Sequence, residues 1–115
     1  MGQVSLTISL FRYRRSLHLL QRVLTQAGET HWSSILSRVI REYDSMSLRK
    51  GDYTRMLHHM LRTEEALRGG MGSLNDIWIA DDRLRASFDE LKLQLRDRVN
   101  DVLNEPSINF GLKAQ

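Results

Sequence analysis

The chain has 115 residues, a net charge of +3 and no cysteine. That length makes one domain, able to bury roughly two-thirds of its unfolded surface without the help of a metal or a disulfide. The absent thiol excludes a disulfide scaffold, a cysteine-ligated zinc site and a thiol nucleophile, and no run approaches the ~20 uninterrupted apolar residues of a membrane span.

The charge is unevenly spread. Residues 1–28 carry Arg12, Arg14, Arg15 and Arg22 and no acid, whereas residues 69–115 are net acidic. Either a basic first helix lies against an acidic last one, or the first helix meets an anionic partner. A net +3 is too weak to argue nucleic acid by itself. An acid-free N-terminus with arginine and serine superficially suits a transit peptide, but its apolar residues form the periodic stripe that a core uses.

In chain order, residues 1–8 alternate Val4, Leu6 and Ile8 with polar residues, which reads as an extended arm. Leu6 also continues the next stripe, so an early helix start is the alternative. The first helix is expected over residues 9–27, with Leu10, Tyr13, Leu17, Leu20 and Leu24 on one face and Gly28 ending it. Arg12, Arg15 and Arg22 fall on the opposite side with Leu19, flanked by Phe11 and Val23. Apolar residues among arginines predict a second contact surface.

A second helix is expected over residues 30–44, with the stripe Trp32, Ile35, Leu36, Val39, Ile40 and Tyr43 and with Thr30 as N-cap. Gly51-Asp52 marks a break. A third helix follows to Arg68, turning Tyr53, Met56, Leu57, Met60, Leu61 and Leu67 inward; Glu64 falls in that stripe and needs a partner or a route to water. The last helix runs from a cap at Asp81 or Asp82 to about residue 104, with Leu84, Phe88, Leu91, Leu95, Val99 and Val102 inward. Residues 77–80 are an extended piece or its first turn. Pro106 stops the helix, and residues 105–115 read as a loosely held tail.

No catalytic set assembles from the residue pattern. His18, His31, His58 and His59 show no ligand spacing and read as surface or interface residues. Glu64-Glu65 and Asp81-Asp82 are sequence neighbours, which does not face two carboxylates across a substrate. The expectation is therefore no enzyme activity, no metal and no cofactor. Phe11-Arg12-Tyr13-Arg14-Arg15 interleaves aromatics with arginines as single-strand binders do. Tyr13 belongs to the core stripe, however, so nucleic-acid binding stands as an alternative.

Between the third and fourth helices lies Gly69-Gly70-Met71-Gly72-Ser73-Leu74-Asn75-Asp76. Gly69 or Gly70 reaches positive φ without a Cβ clash and can close the third helix; Gly72 permits a second bend. Ser73, Asn75 and Asp76 are all N-cap types. An anion cradle is the rival reading, but Asn75 stands where the third glycine of Gly-x-Gly-x-x-Gly belongs. A structural corner is the expectation. This stretch, followed by Ile77-Trp78-Ile79, resembles the signature of a small family of uncharacterised bacterial helical proteins with a Gly-Gly-Met-Gly-Ser-x-Asn-Asp corner. The resemblance implies a bacterial cytoplasmic protein and carries no activity with it.

These readings converge on an all-α, single-domain bundle of about four main helices with a glycine-rich corner before the fourth. The expected core includes Leu17, Leu20, Leu24, Trp32, Leu36, Val39, Leu57, Met60, Leu61, Phe88, Leu91 and Leu95. The expected function is protein binding through Phe11, Arg12, Arg15, Leu19 and Arg22, toward a partner with an acidic or mixed face and not toward a membrane. The most concrete form is a cytoplasmic immunity protein that neutralises a cognate toxin. A nucleic-acid-binding regulator and a homo-oligomeric subunit are the alternatives.

Overall fold

A computed structural model describes residues 2–68 and 74–106. Four helices account for most of them: α1 Gly2–Gln26, α2 Thr30–Asp44, α3 Tyr53–Arg68 and α4 Asp82–Leu103. Short 3-10 turns, Leu48–Lys50 and Leu74–Asp76, interrupt the connections. The fold is all-α, and among the described residues there is no strand.

α1 begins at Gly2, which decides between the two readings of residues 1–8 in favour of the helix. Leu6 is buried and extends the stripe of Tyr13, Leu17, Leu20 and Leu24 by nearly two turns. Gly28 ends the helix as expected. Its φ of 78° lets the Glu29 N–H reach the Leu24 carbonyl at 2.9 Å and its own N–H reach Thr25 at 3.1 Å, the paired bonds of a Schellman cap. Gly51, at φ 83°, plays the same part after the 3-10 turn Leu48–Lys50. Asp81 is the N-cap of α4, accepting from the Leu84 N–H at 2.9 Å. Thr30 does not cap α2. The N-cap position is Glu29, without a side-chain bond, because the Schellman turn carries the chain directly into the next helix.

α1 packs most extensively on α4 and then on α2. The side chains of Ser5 and Ser9 donate to Glu105 at the far end of α4, so α1 and α4 run antiparallel. Bonds from Arg14 to Asp44, Gln21 to Ser37, and Thr25 to Ser33 set an antiparallel register against α2. Phe88, Leu95, Val99 and Val102 complete the interior from α4. Residues 77–80 are extended and lead into that helix, with Ile79 buried and Trp78 72% exposed.

Five of the expected core residues are not fully buried: Leu61 is 46% exposed, Leu57 is half-buried, and Trp32, Val39 and Leu91 are half-buried against the core. α3 is rotated so that Met56, His59, Met60, Thr63 and Leu67 point inward. His59 and Thr63 displace the leucines because another helix supplies their hydrogen bonds.

Candidate functional site

Each helical residue advances the direction of its side chain by about 100°. Ile8, Phe11, Arg12, Arg15, Leu19 and Arg22 therefore share one outward arc of α1, opposite Tyr13, Leu17 and Leu24. Phe11 is 67% and Ile8 47% exposed. Arg14, beside this arc, forms a two-pronged pair with Asp44 at 2.9 and 3.0 Å, which lowers the Asp44 carboxyl pKa. Arg12, Arg15 and Arg22 form no ion pair with any described residue. α1 thus meets α4 without an arginine–carboxylate pair among the described residues, and the three arginines have no ion-pair partner there. Leu19 is half-buried, bordering with Arg22 an open groove of about 440 Å³ between α1 and α4. Val23, expected on the flank of this surface, is instead buried.

A second constellation lies inside the bundle. Tyr13 of α1 is wholly buried, with its hydroxyl 2.6 Å from His59 Nε2 and 3.0 Å from Thr63 Oγ1. His59, itself 2% exposed, places Nδ1 2.8 Å from Glu42 Oε1 on α2. Arg62 donates to the same carboxylate oxygen. With Glu42 ionised, Nδ1 carries the proton and donates to it, and a neutral ring leaves Nε2 to accept from the Tyr13 hydroxyl. Burial holds the His59 pKa down, against the opposing pull of Glu42. For Glu42, burial acts upward but is outweighed by the His59 bond and the Arg62 charge, and its pKa falls below the ordinary value. Burial pushes the Tyr13 hydroxyl pKa far upward.

Carboxylate, imidazole and hydroxyl in a row are the parts of a proton relay. Here the hydroxyl is sealed from solvent and harder to ionise than a free phenol, the opposite of an activated nucleophile. Every buried polar side-chain atom among the described residues has a partner. The row is a hydrogen-bonded clamp joining α1, α2 and α3, and it corrects the expectation that His59 is a surface residue. A signal existed in the residue pattern: Tyr13 sits on the core stripe, and a buried hydroxyl needs a partner.

Beside the clamp, α2 and α3 leave a groove of about 310 Å³. Trp32, Ile35, Val39 and Ala66 form its half-buried wall, Leu36, Leu74 and Leu95 are buried behind them, and Glu42 and Arg62 stand at its polar end beside the buried His59 and Thr63.

The other expected site residues are dispersed or lie outside the described residues. Of the corner, Gly69, Gly70, Gly72 and Ser73 fall outside them. Asn75 and Asp76 belong to the 3-10 turn Leu74–Asp76. His18, His31 and His58 are exposed. No cluster of metal-ligating residues occurs among the described residues, and no helix there is long and apolar enough to cross a membrane.

Residues 25–84 match the family described as "Domain of unknown function (DUF6966)". The matched span runs from the end of α1 into the start of α4 and includes two of the three clamp helices, α2 and α3, but not Tyr13. No curated protein and no solved structure gives a significant match.

Proposed function

The chain belongs to the DUF6966 family, and we propose that it is a protein-binding module whose contact face is the outward arc of α1. One observation carries this reading. Phe11 and Ile8 are exposed on a 25-residue helix beside three arginines that have no ion-pair partner among the described residues. An exposed aromatic sharing a helix face with arginines is the residue mixture from which binding hot spots are built. Unmatched cations favour a partner with an acidic face, because complementary charge speeds encounter and fixes orientation.

In its most concrete form the module is a small bacterial inhibitor, an immunity protein that neutralises a cognate toxin in the cytoplasm. A direct inhibitor needs a self-supporting scaffold and one accessible face, and this bundle with its bare arc suits that task. The bacterial setting rests on the resemblance carried by residues 69–76. Catalysis is not part of the proposal, since the hydroxyl of the relay is sealed from solvent and hard to ionise.

The test is affinity capture from the native cell with the wild type and with Phe11→Ala and Arg12→Glu/Arg15→Glu/Arg22→Glu. The expected outcome is an acidic protein retained by the wild type and lost by both variants while the helical signal is unchanged. Capture of RNA or DNA alone, released by salt, overturns the reading in favour of a nucleic-acid-binding regulator. A stable homo-oligomer that retains nothing else overturns it in favour of an assembly subunit.

A further inference from the structure

The apolar stripe of α2 is wider than the bundle covers. Leu36 and Ile40 are buried, but Trp32, Ile35 and Val39 are only half-buried and line the groove toward α3. A concave apolar wall with a few polar groups at one end is the usual form of a small-molecule site.

The polar end defines what the head of such a molecule must be. His59 and Thr63 have their hydrogen bonds filled within the clamp. Glu42 and Arg62 do not. Both bonds to Glu42 fall on Oε1, which leaves Oε2 without a partner among the described residues. Arg62 engages Glu42 through one terminal nitrogen, and the rest of its guanidinium is open at the mouth, with the side chain 65% exposed. One acceptor of negative charge and one set of positively charged donors therefore stand side by side. A carboxylate head would meet Glu42, and an ammonium head would meet Arg62. A neutral group that donates to Oε2 and accepts from the guanidinium satisfies both.

We propose that the α2–α3 groove binds a small neutral amphiphile, an apolar chain with a carboxamide head. The chain lies along Trp32, Ile35, Val39 and Ala66, above Leu95. The amide N–H donates to Glu42 Oε2, and its carbonyl accepts from Arg62. This site shares no residue with the α1 arc, so it stands or falls independently of the proposed partner face.

The experiment titrates the full chain by calorimetry at neutral pH with octanamide, octanoate and heptylamine, which share a heptyl tail and differ only in the head. Octanamide is expected to bind about tenfold more tightly than either charged analogue, the discrimination typical of a head that leaves a charged group unpaired. Chemical-shift mapping on the wild type should centre on the Trp32 indole and the Ala66 methyl. Glu42→Gln removes the repelling charge and frees Arg62, so octanoate should gain about tenfold relative to octanamide. Ala66→Phe fills the groove and should abolish binding with the melting temperature retained; if that variant does not fold, the wild-type shift map decides. Equal affinity for all three heads, shifts centred away from the groove, or no octanamide binding up to its solubility limit overturns the proposal.

Discussion

Tyr13 shows how much one atom can organise. Its ring belongs to the stripe of α1, but its hydroxyl draws His59 and Thr63 into the interior and ties Glu42 to them. Tyr13→Phe keeps the ring and strips the hydroxyl, leaving His59 Nε2 buried and unpaired. The expected loss is about 1–3 kcal/mol, the desolvation penalty of an orphaned polar group, read from the denaturant midpoint. Tyr13→Phe combined with His59→Leu and Thr63→Val should recover part of that loss, because an all-apolar replacement orphans nothing. An unchanged midpoint in the single variant would show that the clamp contributes nothing to stability. Leu61 makes the converse point: a leucine within helical reach of the core stripe remains 46% exposed, since the polar clamp sets the rotation of α3.

At the scale of elements, the helix ends are built from local chemistry. Gly28 holds a φ of 78°, and a Cβ there would meet nothing within 4 Å. Gly28→Ala therefore tests backbone strain alone, with an expected loss of about 1 kcal/mol. Asp81→Ala removes the bond to the Leu84 N–H and a negative charge at the start of α4, again a loss of about 1 kcal/mol in thermal or chemical denaturation. Asp81→Asn should retain most of the cap. The exposed Arg14–Asp44 pair is a weaker link between α1 and α2, within about 0–1 kcal/mol, and salt should weaken it.

Over the whole molecule, the titrating groups define a window of stability. The free imidazole value is 6.5, and burial lowers it for His59 in the fold, so the unfolded chain takes up the proton first as pH falls. Stability is then complete above 6.5 and is lost as pH drops toward the folded value. Glu42 and Asp44, also lowered, extend the loss below their ordinary values of 4.5 and 3.8. Tyr13 and Tyr43 are raised above 10.0, so the unfolded chain ionises first as pH rises and stability declines beyond that point. Denaturant midpoints should form a plateau between 6.5 and 10.0 and fall on both sides. In His59→Asn the decline should begin only in the carboxylate range; a decline still starting near 6.5 in that variant would assign it to another group.

The sequence by itself determined the all-α fold, the span of α2, the Gly28 stop, an aspartate cap at residue 81 or 82 and most of the core. Each of these follows from short-range rules: apolar spacing of three and four, positive φ at glycine, an oxygen placed for the first free N–H groups. It also placed Phe11, Arg12, Arg15, Leu19 and Arg22 on one arc of α1, because helical geometry alone aligns them. Only the tertiary structure decided that Val23 is buried, that Leu61 is not, and that His59 lies inside between Glu42 and Tyr13. The placement of His59, and with it the rotation of α3 that exposes Leu61, depends on partners 17 and 46 residues away along the chain, and no local pattern encodes them. The groove between α2 and α3 belongs to the same class, since it arises where two helices with adequate stripes of their own do not close on each other.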